Sequence, residues 1–496
     1  MWATGLRGIS VLLVQIGIAS WTWAQKVHVE NADEVGGTPE RRVLRGNVVF
    51  RQDTLLLHCQ EAVITSDGSF TASGGVQTFF GGSGKISAAS LRYDPSLRRL
   101  TYEGEVQGDF PPSRLRASRL HYDRNSEVAW YDQGGILQDT TGEIHSQYGS
   151  YDTRTDIATF SGRVRVYKGT AQAIADTLIY DSRHYYATFP VPVTIYDTQR
   201  KDTLVASQME WNRLTGETFA KVRTIYRDTA HIISAMEGYF APDQDSAAAF
   251  CDIHFKERRG RIYAWADTAI WVKDSLHLHT NASVLLSDPE TTFVQAEHLW
   301  TQGYILHAAG QVELFYLTLK ARSDTLKYDT LNHITELHGH AWLADSAAQV
   351  YADKIFLYFN EKKKIDSAYA SGSVHFVSMA DSFLGFFHQI VSDFAYAKWD
   401  TTGILREISF LGRVQAVYYQ SENKEWRGVH YLRAGKLYIR LDSLQQPYYI
   451  RSEEKPQGVV FPTRRALEAP IWIKGVYWIP EDKQPKVPFC EKPVSK

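Results

Sequence analysis

The chain has 496 residues, 54 basic and 56 acidic, with a net charge of −2. No global field draws such a chain to nucleic acid or to an anionic membrane surface. Three cysteines far apart exclude a disulfide framework, and 13% aromatic content, with 28 Tyr and 13 Trp, favours strands over helices.

The first 24 residues read as a secretory signal. Arg7 is the positive flank, Ile9 to Ala19 the apolar core, and Thr22-Trp23-Ala24 the cleavage site. The apolar run is shorter than the ~20 residues of a membrane-spanning helix, and no later stretch reaches that length. No cysteine follows the run to carry a lipid anchor. Cys59 and Cys251 are expected as core-facing thiols.

A repeat follows. Tyr93-Asp94, Tyr122-Asp123, Tyr151-Asp152 and Tyr180-Asp181 stand 29 residues apart, and Gly46, Gly75, Gly104, Gly134 and Gly162 keep nearly the same beat. A fixed period marks stacked repeats, which build a long surface or groove more readily than one catalytic pocket. The unit is clearest at Ala89 to Val106. Ala89, Leu91 and Tyr93 alternate with Ser90, Arg92 and Asp94, a turn follows at Asp94-Pro95-Ser96, and Leu100, Tyr102, Gly104 and Val106 alternate with polar residues. The period of two predicts strands with one apolar face, hence an all-β fold. The Asp after each aromatic is read as an Asx-type turn that ends the strand. The mid-strand glycine is read as a bulge that lets a strand pass from one sheet to another.

The pattern continues through Met209-x-Trp211-Asn212, fades over His231 to Phe250 with Met236 and Phe240 as the best matches, and recovers at Trp271 and Trp300. Asp324-x-Leu326-x-Tyr328 and Asp353-x-Ile355-x-Leu357 carry it on toward Leu441. About a dozen units at ~4.8 Å per strand predict an array roughly 60 Å long. After Leu441 the composition shifts, with eight of the 16 prolines between Pro447 and Pro493. This predicts an irregular tail, with a short strand at Ile471 to Ile479, that caps the array or docks elsewhere. The expected organisation is a signal at 1–24, repeats at 25–240 and 241–446, and the tail at 447–496.

No nucleophile motif, phosphate loop, dinucleotide fingerprint or paired-cysteine zinc site is present. His277-x-His279 and His338-x-His340 each place two imidazoles on one side of a strand. No third ligand is evident in the sequence, so they read as surface or groove-rim histidines and no metal is assigned. No cofactor is expected either.

At this point the residues resemble a known family. Arg42-Val43-Leu44-Arg45-Gly46-Asn47-Val48-Val49-Phe50, the preceding Val27 to Asp33, and Leu57-x-Cys59-x-x-Ala62 are similar to the opening strands of OstA/LptA-type periplasmic domains. Ala117 to Asp123 and Gly162 to Val164 match that family's internal repeat, although Gln60 stands where the family has Asp. The chain looks most like the long OstA-like proteins of the Bacteroidota type. The resemblance implies an elongated two-sheet, V-shaped β-jellyroll (a β-taco), here built from repeats of about 29 residues. It also implies a periplasmic, non-enzymatic bridge that shields lipopolysaccharide acyl chains during outer-membrane assembly. Its implied partners are lipopolysaccharide, other transport proteins including an outer-membrane translocon, and further copies end to end. The expected groove lining is Leu91, Tyr93, Leu100, Tyr102, Val106, Leu120, Tyr122, Phe160, Val164, Leu178, Tyr180 and Phe189, with Arg92, Arg163 and Arg165 at the rim.

Three rivals compete. A polysaccharide-acting β-solenoid enzyme has shorter coils and asparagine ladders. A Tyr-Asp-repeat structural shell has a shorter period with Gly soon after the Asp. An outer-membrane barrel needs lipid-facing strands without these charges.

Overall fold

A computed structural model of the protein describes residues 28–52, 55–80, 84–111, 113–138, 142–212, 214–241, 246–273, 275–287, 291–422, 425–469 and 471–486. The expected signal segment and Cys490 lie outside these residues. The chain divides into two compact units, Met1–Phe250 and Cys251–Lys496. Each is an all-β, two-sheet jellyroll, which matches the expected fold class.

The strands Gly84–Asp94, Arg99–Phe110 and Ser113–Asp123 show how one unit of the repeat folds. Each pairs antiparallel with its sequence neighbour. The pairing of Arg99–Phe110 with Ser113–Asp123 is interrupted between Glu103 and Val106. There Gly104 (φ +80°) and Glu105 (φ +44°) are both left-handed, so the strand carries one extra residue and bends. On the facing strand the inward positions are Ala117 and Leu120, three apart instead of two. The alternation slips by one at each bend, so the apolar face continues around the corner. The same spacing of three recurs as Cys59 and Ala62, Ala88 and Leu91, and Ala175 and Leu178 in the first unit. In the second it recurs as Ala296 and Leu299, Ser323 and Leu326, and Ala352 and Ile355.

Broken strands show that the two halves belong to different sheets. Val128–Tyr131 pairs with the end of Ser113–Asp123, whereas Gly135–Gln138 pairs with its beginning. Tyr186–Phe189 and Val193–Asp197 divide Ala171–Asp181 in the same way, with Pro190 and Pro192 at the break. The inward faces of both halves meet in one hydrophobic cluster that runs from Leu44 to Ala220. Contacts cross between the sheets. Phe70 meets Phe50 edge-on at 5.1 Å, and the Tyr102 hydroxyl donates to Thr78 Oγ1 at 3.3 Å.

The Tyr-Asp pairs end strands as the sequence predicts. Asp94 Oδ1 accepts from the N–H groups of Ser96 (2.9 Å) and Leu97 (3.2 Å), and Asp329 repeats this with Leu331 and Asn332. The Ser96 hydroxyl and the Leu97 N–H hold the Asp94 carboxyl below its usual range.

Three expectations are corrected. Met236 and Phe240 point outward, at 43% and 36% exposed, and the inward residues of that repeat are Ala235 and Ala241. Large side chains suggested the wrong face because alanine fills it here. Cys59 is a core thiol, and burial pushes its pKa up to about 11. Cys251 is exposed because it occupies a left-handed corner (φ +61°) beside Asp252. Finally, the sheet pairing does not stop at Leu441. Pro447–Glu453 and Gln457–Phe461 pair with the two halves of Glu425–Leu441.

At the corners of the second unit, a side chain on one strand answers an acid on the next. His340 Nδ1 lies 2.9 Å from Asp324, Gln311 donates to Glu297 at 3.2 Å, and Arg413 pairs with Asp393. The glycine before His340 is held by geometry as well as by its φ of +74°, since a Cβ there would sit 2.3 Å from Asp324 Oδ2. Gly339→Ala is therefore expected to cost more than about 1 kcal/mol. Gly303 (φ +58°) has nothing within 4 Å, so Gly303→Asn should be nearly neutral in denaturant unfolding of the same chain.

Candidate functional site

All twelve expected groove residues lie on the inward faces of the first unit. Leu91, Tyr102, Val106, Leu120, Phe160, Val164, Leu178, Tyr180 and Phe189 belong to its single apolar cluster, and Leu100 packs half-buried against it. Tyr93 is buried, and Tyr122 is half-buried. Arg92, Arg163 and Arg165 are exposed.

The tyrosines form a regular row. Reading across the strands by register, Tyr122 faces Ala129, Ala129 faces Tyr151, Tyr151 faces Ala158, Ala158 faces Tyr180 and Tyr180 faces Ala187. Large and small residues thus alternate on successive strands, so neighbouring rings are spaced by roughly two strand widths, ~9.6 Å. Each ring stands one residue before its Asx turn, at the turn end of the inward face. The Tyr151 hydroxyl donates to Asp156 Oδ1 at 2.7 Å, which keeps the polar tip at the rim and the ring inside.

The interior of the second unit holds a cavity of about 70 Å³. Val294, Leu314, Ala321 and Leu343 wall it from one sheet, and Leu326 and Leu357 from the other. Tyr316, Tyr328, Thr335, His333 and Lys363 add polar groups. The Tyr316 hydroxyl donates to the Lys363 carbonyl, and His333 Nδ1 is buried without a hydrogen-bond partner among the described residues. The space is apolar in its walls and polar at one side, as a site for an amphipathic chain requires.

Residues 471–479 form a strap, a feature the sequence did not reveal. No strand forms at 471–479, and the segment does not cap an edge. It runs across the outer face of the second unit's sheet, on the side of His375 and Val377, opposite the cavity walls. Two fully buried glutamines hold it. Gln389 donates to the Ile471 carbonyl at 2.8 Å and accepts from the Ile473 N–H at 2.8 Å. Gln349 does the same with both backbone groups of Ile479, at 2.7 and 3.0 Å. A primary amide has the donor and acceptor of a peptide group, so each glutamine replaces the strand neighbour that this backbone lacks. Ile473 and Val476 fill the apolar patch of Val377, Phe386, Val417, Tyr419 and Val429. The signal in the sequence was two outward glutamines among outward apolar neighbours such as Val377 and Val417.

Comparison with known proteins places the first part of this architecture. Residues 24–176 match the model of the OstA-like protein family. That stretch is similar to the OstA-like family. The match takes in the opening strands and the Tyr-Asp repeats through Tyr151. Among solved structures, LptH, the LptA-homologous periplasmic component of the lipopolysaccharide transport device of Pseudomonas aeruginosa, is 16% identical to this chain. The alignment covers 21% of this chain and 81% of that one, with a TM-score of 0.20, a likeness too slight to carry an argument. No curated protein matches the chain. The match includes Tyr122 and Tyr151 of the tyrosine row and ends before Tyr180, and in sequence the strap lies beyond it.

The strap predicts that Gln389→Ala, which leaves the Ile471 carbonyl and Ile473 N–H unpaired, costs about 2 kcal/mol or more. Limited proteolysis within 462–486 should accelerate, with the sheets intact by circular dichroism. A second expectation concerns pH. Burial pushes the His388 pKa down to about 4, and its Nδ1 accepts from the Tyr419 N–H at 3.3 Å, which requires that nitrogen unprotonated. The unfolded chain takes up this proton near pH 6.5 and the native chain does not. Stability present above pH 6.5 is therefore lost between 6.5 and 4, at up to about 1.4 kcal/mol per pH unit. Urea midpoints of His388→Phe should show that part of the slope removed.

Proposed function

We propose that the protein is a periplasmic, lipopolysaccharide-binding bridge that shields acyl chains between the two sheets of a unit during outer-membrane assembly. The observation that carries this is the inward apolar row repeated strand after strand, in a chain whose residues 24–176 are similar to the OstA-like family. Every CH₂ moved from water into such an interior gains ~0.8 kcal/mol, so a long acyl chain is held without any specific polar contact. The tyrosine–alanine alternation supplies recesses between rings along the path. Leu91, Tyr93, Leu100, Tyr102, Val106, Leu120, Tyr122, Phe160, Val164, Leu178, Tyr180 and Phe189 are the proposed lining.

The inward rows pack against one another in one cluster, so an acyl chain would enter as the sheets part at their turn ends. The corners suit this motion, because the two sheets are joined there by short left-handed kinks and small side chains. The sugar and phosphate head would remain outside, beside exposed arginines such as Arg92, Arg163 and Arg165. Exposed strand edges offer backbone groups for strand addition by other transport proteins, an outer-membrane translocon or a second copy. The reading calls for binding and transfer, with no chemical step.

Photoreactive residues at Tyr122, Phe160 and Tyr180, exposed to lipopolysaccharide and irradiated, are expected to form lipid adducts. The same groups at Arg116 and Arg119, on the outer face, should not. Adducts confined to the outer-face positions would overturn the groove reading.

A further inference from the structure

The second unit carries a cluster of histidines on the outer face of one sheet, away from the cavity. His277 and His279 lie two apart on Ser275–Ser287, and His298 on Thr291–Gln302 stands directly opposite His279 in the ladder. Leu278 and Leu299 between them point inward, and the three histidines are half-buried on the outer side. The third imidazole that the sequence did not reveal comes from the neighbouring strand. One nitrogen from each ring lies within 4.8 Å of the other two.

The hydrogen bonds prepare one ligand. Ser275 Oγ donates its proton to the Thr301 carbonyl at 2.5 Å, so toward His277 it can only accept. His277 Nε2, 3.1 Å from that oxygen, therefore carries the hydrogen, and His277 Nδ1 presents its lone pair. That lone pair faces His298 Nε2 at 3.3 Å. Two nitrogens bound ~2.05 Å from one tetrahedral ion stand about 3.3 Å apart. The second partner of a ligating imidazole is what fixes its tautomer in built metal sites, and Ser275 fills that place here.

The other histidine pair differs. His338 bonds Glu336, while His340, turned by the corner at φ +45°, bonds Asp324. The bulge between His338 and Ala341 separates the two rings, contrary to the expectation that they share one side.

We propose that His277, His279 and His298 form a binding site for one divalent transition-metal ion of the zinc class, with solvent in the fourth position. Imidazole nitrogens select zinc, copper and nickel over calcium and magnesium, which prefer oxygen. The rings are nearly parallel, with His279 and His298 4.1 Å apart at 15°, so binding requires rotation about χ2. That torsion is broad for histidine, and the half-exposed positions leave room for it. The ion would tie two adjacent strands on the outer surface and leave one coordination position for a donor from another molecule. This inference stands independently of the lipid reading, since it uses the opposite face of the sheet.

The test is calorimetric titration of the purified full chain with zinc chloride at pH 7.5, repeated with calcium chloride. One zinc per chain is expected, with no comparable calcium binding. His279→Ala and His298→Gln should each weaken zinc binding at least tenfold, while His340→Ala should leave it unchanged. Copper(II) loaded in place of zinc should show nitrogen couplings in its paramagnetic resonance spectrum, and these should be reduced in His298→Gln. Circular dichroism of each variant checks that the sheets persist. Zinc binding as tight in a chain with all three histidines replaced by alanine, or no stoichiometric binding to the original chain, would overturn the proposal.

Discussion

Everything in this protein depends on how a strand turns a corner without losing its apolar side. A straight strand presents alternate residues to one face, and a plain bend would carry half of them to the solvent. Here one strand gains a residue through a left-handed pair such as Gly104-Glu105, and its neighbour slips its alternation by one, as from Ala117 to Leu120. The two devices compensate each other across a single ladder. Repeated along a unit, they fold one meander into two sheets with a common interior.

Much of this was legible in the residues. Alternation gave the strands, and aspartate after tyrosine gave the turns, because a short carboxylate can satisfy two backbone N–H groups locally. The motif of a small residue, two polar ones and a leucine was visible as a pattern, but its meaning as a slipped corner required the register. Near Phe240 the reading chose the wrong face because hydrophobicity outweighed position: alanine occupied the core, and larger side chains were left outside. Cys251 was misplaced for a related reason, since a corner conformation overrode a thiol's preference for burial. The strap and the third histidine were out of reach because both rest on contacts between residues distant in the chain or across a ladder.

The interiors of the two units differ in kind. In the first, rings and methyl groups pack against one another between the sheets. In the second, a cavity persists with leucines on both walls and a buried imidazole nitrogen left unpaired. Unpaired polar atoms in an otherwise apolar space are costly, and water or a polar group of a guest relieves the cost. One architecture thus accommodates both a row of large rings and a small cavity between its sheets.

The strap has a consequence for how the protein comes into being. Nearly all sheet pairings join neighbours in sequence, so the strands can zip in the order in which they emerge. The strap bonds reach back 84 residues from Ile473 to Gln389 and 130 from Ile479 to Gln349. Until residues 471–479 have been delivered, two buried glutamines and the patch around Val377 and Tyr419 face water uncovered. A chain interrupted before that point would have correct sheets and an adhesive back. Completion of the second unit thus waits on residues 471–479, which cover a face that the sheets alone leave open.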